Sequence, residues 1–209
     1  MKISQVDLAN RLLYLPLDLR EKVLLWLTYK GLKPVSELTV ERRGNAFALA
    51  KKGIRKESTY GYNSSNSIRI RRWIKDAGLS VAVDPKFASS WHVGKDKKQV
   101  QLSTKIIRKF DYENEIKSGT MFGFPGESVK DYAHNRTANE EGKIPMVLIG
   151  KERFSNQYLK DKYYTPYVLY GIPENMVVKE SQTAKKWADT IRKDVPLLAK
   201  WFENKEIKR

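Results

Sequence analysis

The stretch from Ser65 to Val83 limits the fold more than any other part of the chain. Ile68, Ile70, Trp73, Ile74 and Ala77 recur at helical spacing and predict a helix whose apolar side faces a core, with Arg69, Arg71, Arg72 and Lys75 toward solvent. Gly78 is placed to end that helix, and Leu79-Ser80-Val81-Ala82-Val83 then reads as a strand. A helix, a turn and a strand in this order belong to an α/β layer structure.

The flanking sequence extends the pattern. Ser4 can cap a first helix that ends before Pro16, and Asp18 with Glu21 makes a capping box for a second helix over residues 19–30. Val23, Leu24, Trp26 and Leu27 are its apolar side and Gly31 its stop. Pro34 to Val40 reads as a short strand, Arg42 to Glu57 as a weak helix or an ordered loop, and Ser58 to Ser67 as a polar loop ending in an N-cap. A strand at Trp91-His92-Val93 passes through Gly94 into a helix from Asp96 to Phe110, with Val100, Ile106 and Ile107 buried. Beyond it come a helix over Tyr112 to Ser118, the Gly119 to Gly126 punctuation, a helix through Val129 and Tyr132, and strands at 146–149 and 165–170. Ala184, Trp187, Ala188 and Ile191 repeat at helical spacing. Asp194 opens a short final helix in which Pro196 is tolerated because the first turn lacks an intrahelical donor, and Trp187 and Trp201 read as core packing. The expected fold is a small mixed sheet with flanking helices, preceded by an N-terminal helical pair. It divides into a helical and basic segment, 1–57, and an α/β domain, 58–209, unless the two are continuous.

Charge is distributed unevenly along this frame. Arg42, Arg43, Lys51, Lys52, Arg55, Lys56, Arg69, Arg71, Arg72 and Lys75 face a single acid, Glu57, between residues 42 and 75. Residues 1–110 hold 23 Lys and Arg against 9 Asp and Glu, whereas residues 111–209 hold 17 against 15. Such self-repulsion is most simply explained by a polyanionic partner, since each neutralised phosphate releases condensed counterions. Six of the ten cations are arginines, suited to forked contacts with phosphate oxygens, and Tyr60 and Tyr62 offer stacking faces beside them. A solvated face without a partner is the plain alternative. The pattern does not separate DNA from RNA.

Other classes are excluded or narrowed by composition. The chain has no cysteine and only two histidines, His92 and His134, so disulfides and thiolate metal sites are absent and neither a metal nor a cofactor is expected. No apolar run is long enough to span a membrane, and Met1 to Gln5 lacks the pattern of a signal peptide, so the expectation is a cytoplasmic protein without a membrane partner. Gly94-Lys95 is either a phosphate loop or a tight turn; it lacks the upstream glycine and following Ser or Thr of a Walker motif. Asp84, Glu115 and Lys117 match the residue types of a metal-dependent nuclease, but Glu115 is expected on a helix. His92 reads as structural and His134 as a surface histidine, with a general base as the alternative.

The segment Glu115 to Val129, with Gly119-Thr120-Met121-Phe122-Gly123-Phe124-Pro125-Gly126-Glu127-Ser128 at its centre, resembles a motif of a family of uncharacterised archaeal proteins. Val93 to Asp96, Tyr164 to Tyr167 and Glu180-Ser181 carry the likeness further, over residues 79–203. The resemblance implies a shared α/β core and no established activity. Glu127 and Ser128 stand where those proteins often have paired cysteines, so no thiol chemistry carries over. Read physically, Gly123 and Gly126 bracket a Phe-Pro turn before a helix start; Gly123, Pro125, Gly126, Glu127 and Ser128 are either a structural turn or an anion site.

Three functions fit these residues. The leading expectation is a non-enzymatic, largely sequence-tolerant nucleic-acid-binding protein. The others are an enzyme acting on nucleic acid or a nucleotide, with a pocket near Gly123 to Ser128, Tyr132 and His134, and an interaction module for an acidic partner. The sequence leaves the oligomeric state open.

Overall fold

The structure, a computed structural model, describes residues 3–40, 65–85, 89–106, 112–124, 126, 129–130, 133–134, 167 and 177–207. Its helices start and stop on local side-chain chemistry. α1 (Gln5–Leu13) begins where the Ser4 hydroxyl accepts from the Asp7 amide at 3.1 Å. α2 (Leu19–Tyr29) begins at a complete capping box: Asp18 accepts from the Glu21 amide at 2.7 Å, and Glu21 accepts from the Asp18 amide at 3.1 Å. Its end is set by Gly31, at φ 74°, where the Gly31 and Leu32 amides donate to the Thr28 and Leu27 carbonyls. Those two bonds use carbonyls that a helix end otherwise leaves without intrahelical donors. α3 (Ser65–Asp76) closes in the same way through Gly78, at φ 69°, with Gly78 and Leu79 donating to Lys75 and Ile74.

These helices enclose a small sheet in the first of two compact units, Met1–Thr104 and Lys105–Arg209. β1 (Val35–Thr39), β2 (Ser80–Val83) and β3 (Ser90–Gly94) pair antiparallel in the order β1-β3-β2. With seven helices and this sheet among the described residues, the fold is the expected α/β arrangement with an N-terminal helical pair. The expected division at residues 57 and 58 lies outside the described residues; β1 before it pairs with β3 after it.

Register decides what each face of the sheet meets. Ser36 and Leu38 pair with Val93 and Trp91, which in turn pair with Val81 and Val83, so these six share one face. α2 covers that face at Ser36, whose hydroxyl lies 2.6 Å from that of Thr28, and α3 covers it at Trp91, with the Arg71 guanidinium 4.4 Å from the ring centre. The other face carries Val35, His92 and Gly94 and is covered by α4 (Lys97–Ile106). There His92 Nδ1 lies 2.8 Å from the Ser103 hydroxyl, and a Cβ on Gly94 would stand 2.6 Å from the Pro34 carbonyl oxygen and 2.8 Å from Val100 Cγ2. α1 is tied to α3 by the Trp73 indole, which donates to the Leu8 carbonyl at 2.9 Å, and by the 2.7 Å pair of Arg11 with Asp76.

Two expectations for α3 are corrected. Ile68 is 51 % exposed, because Ser67, Ile70, Trp73 and Ile74 centre the buried side and place residue 68 across the helix from it. Arg71 is half-buried over Trp91 instead of facing solvent. In the second unit, α5 (Tyr112–Met121) runs through Gly119, past the expected end at Ser118. α6 (Val177–Asp194) buries Ala184, Trp187, Ala188 and Ile191 as expected, and α7 (Pro196–Ile207) carries Pro196 at its first position. Trp201 is 37 % exposed, so the expected core role passes to the neighbouring Phe202, which is buried and lies 5.2 Å from the Tyr167 ring. Of the strand expected over 165–170 the structure describes Tyr167 alone, which occupies a turn and donates its hydroxyl to Glu203 at 3.0 Å. Residues 41–64 and 146–149, where a weak helix or loop and a further strand were expected, lie outside the described residues, as do the side chains of Ile106 and Ile107.

Two buried lysines make the first unit sensitive to pH. Lys22 donates to the Leu13 carbonyl at 2.7 Å, and burial lowers its pKa against the opposing charge of Asp18. Lys33 is 2 % exposed; burial, helped by the charge of Arg20, lowers its pKa to about 7. Above that value the unfolded chain binds a proton that the folded chain has released, so this lysine makes stability rise with pH until the unfolded lysine also titrates, at ~10.4. Denaturant titrations between these limits should show a gain approaching about 1.4 kcal/mol per pH unit, and Lys33→Met should remove most of it. A flat profile in the wild-type protein would refute this.

Glu21 provides the second test. Its carboxylate also accepts from the Thr39 amide, so Glu21→Ala deprives a helix cap and a sheet edge at once. The expected loss is about 2 to 3 kcal/mol of unfolding free energy, with Glu21→Gln recovering part of it.

Candidate functional site

On α3 the buried side chains lie together, so the residues between them form one solvent-facing stripe: Ser65, Ile68, Arg69, Arg72 and Lys75 are exposed. Of the expected contact residues, Arg69, Arg72 and Lys75 are thereby brought together. Arg71 is not; its guanidinium stacks on Trp91 and fastens the helix to the sheet. Arg42, Arg43, Lys51, Lys52, Arg55, Lys56, Tyr60 and Tyr62 lie outside the described residues. Asp76 is the one acid of α3, and it is engaged by Arg11, so the stripe itself is cationic.

One residue of this surface escaped the sequence reading. Arg69 Nη2 donates at 2.7 Å to the carbonyl of Tyr14, the C-cap of α1, and Tyr14 is 70 % exposed. A cation at the last carbonyls of a helix also complements its dipole. No periodicity marks Tyr14, because its place beside Arg69 depends on α1 packing across α3.

Some of the remaining candidates have structural roles where they are described. Gly94 ends β3 in a space too tight for a side chain, and Lys95 reaches the end of α2, its Nζ 3.3 Å from where a Cβ on Gly31 would stand. Gly94 is therefore a strand end, and Lys95 lies beside the glycine that closes α2. Asp84 is buried in the first unit, whereas Glu115 and Lys117 belong to α5 in the second, where Lys117 pairs with Glu113 at 3.2 Å. No three His, Asp or Glu side chains are grouped to hold a metal among the described residues. His92 is buried against Ser103, and His134 is exposed.

Gly123 is the C-cap glycine of α5. Its φ is 72°, and the Gly123 and Phe124 amides donate to the Thr120 and Gly119 carbonyls, the same closure as at Gly31 and Gly78. A Cβ on Gly126 would meet open space. Pro125, Glu127, Ser128 and Tyr132 lie outside the described residues. No helix among the described residues is long and apolar enough to cross a membrane. No protein-family model, curated protein or solved structure matches the chain.

Helix closure at Gly123 predicts that Gly123→Ala costs about 1 to 2 kcal/mol through left-handed strain. Gly119→Ala should also destabilise, because its Cβ would stand 2.6 Å from Val129 Cγ1. Adding Val129→Ala should recover part of that second loss and none of the first. Strictly additive losses in a double-mutant cycle of Gly119 and Val129 would contradict the contact.

Proposed function

We propose that this protein binds nucleic acid through a basic Arg/Lys-rich face, largely without regard to sequence and without catalysing a reaction. The observation that carries the reading is the α3 stripe, where Arg69, Arg72 and Lys75 are exposed together while the helix's one acid is held by Arg11. It is supported by a net charge of +16 concentrated before residue 110. Phosphate contacts of this kind position a strand without reading its bases, which is why sequence tolerance follows. A cytoplasmic location is part of the same proposal. The alternative of an enzyme pocket near Gly123 to Ser128 draws no support from Gly123, which helix closure explains.

Binding should be governed by salt. With about six phosphates engaged, log affinity for duplex DNA should fall against log salt with a slope of roughly −5. Arg72→Ala with Lys75→Ala should make the slope shallower by about 2, weaken all sequences alike and leave the melting temperature unchanged. Arg69 is better tested alone, since its bond to Tyr14 also supports α1. Absence of binding at low salt, or a slope near zero, would overturn the proposal.

A further inference from the structure

The cationic stripe of α3 does not consist of charge alone. Ile68 is 51 % exposed and lies on it, one residue from Arg69 and one turn from Arg72. At its edge stands Tyr14, which is 70 % exposed and whose carbonyl is bound by Arg69 Nη2. An exposed aromatic residue and an exposed branched aliphatic one thus neighbour the arginines, the first through its backbone carbonyl and the second along the helix. Arg69 has further N–H donors beyond that bond, and Arg72 stands a turn along the same face.

The chemistry of the partner decides what such a mixture is for. A duplex shows a protein its phosphates and base edges, and its base faces are already stacked on one another. An unpaired strand shows phosphates and base faces together, and a protein that holds one combines cations for the backbone with aromatic rings for the bases. Phosphate binding alone would leave the apolar surface of Tyr14 and Ile68 unused. Base stacking uses it.

We propose that Tyr14, Ile68, Arg69 and Arg72 form a site for single-stranded nucleic acid. A base stacks on the Tyr14 ring, Ile68 packs against the apolar face of a neighbouring base, and Arg69 and Arg72 take the intervening phosphates. The proposal rests on the nucleic-acid reading above and adds the class of strand.

The test compares the whole chain binding a short unstructured oligonucleotide, as DNA and as RNA, with the duplex of the same sequence, at one salt concentration. Tyr14→Ala should weaken single-strand binding about tenfold, leave duplex binding within about twofold and keep the melting temperature. Tyr14→Phe should match the wild type, and Tyr14→Leu, which keeps the bulk but not the aromatic face, should behave like Tyr14→Ala. Arg72→Ala should weaken both forms. Unchanged single-strand affinity in Tyr14→Ala, equal loss on both forms, or tighter wild-type binding to duplex would overturn the site while leaving nucleic-acid binding standing. Failure of the wild type to bind either form would remove both proposals, and an adenine-rich strand bound no better than an abasic one would remove the stacking.

Discussion

The first turn of α2 holds the N-terminal unit together, and its central group is the Glu21 carboxylate. One oxygen accepts from the Asp18 amide and completes the helix cap; the other accepts from the Thr39 amide at the end of edge strand β1. Glu21 is 8 % exposed, and a carboxylate so enclosed is tolerable only with donors on both oxygens. Its neighbour Lys22 reaches the other way, to the Leu13 carbonyl at the end of α1. Two consecutive side chains therefore fasten the helix to the sheet on one side and to α1 on the other. Thr28 and Ser36, sharing the Leu24 carbonyl, repeat the attachment at the opposite end of β1.

What α2 fixes, α1 passes on to the candidate site. Leu8 receives the Trp73 indole, Arg11 takes Asp76 and Tyr14 receives Arg69, so α3 is aligned along α1 by three polar contacts over a buried apolar seam. Arg71 locks the other flank of α3 by lying on Trp91. The arginines of one short segment thereby do different work. One is a packing group, one caps a neighbouring helix, and Arg72 is left to solvent. Arginine suits all three uses because its planar cation can stack, donate several hydrogen bonds and stay charged.

The second unit is built on other terms. Residues 105–209 hold 20 Lys and Arg against 15 Asp and Glu, a smaller excess than the 20 against 9 of residues 1–104, and α6 packs against α7 around Trp187, Ile191, Leu198 and Phe202. Glu203 accepts from both Tyr167 and Arg192 Nε, and burial together with the Glu203 charge pushes the Tyr167 pKa up. That arrangement keeps the phenol neutral and serves packing. The basic field that motivates the functional reading belongs to the first unit.

Legibility in the sequence follows the range of the forces involved. Ser4, the Asp18 and Glu21 pair, Gly31 and Gly78 act on amides and carbonyls within a few residues, so helix starts and stops could be read directly; Gly123 obeys the same rule but was hidden by the Phe-Pro step beside it. The apolar spacing of Trp73, Ile74, Trp187 and Ile191 likewise determined which sides of two helices are buried. Ile68 stays exposed because helical spacing sets it across from Ile70, Trp73 and Ile74. Tertiary structure alone decided that Trp201 stays exposed, that Arg71 turns inward and that Tyr14 joins the arginine row. Each of those outcomes depends on which distant surface a helix packs against, and no local pattern encodes that surface.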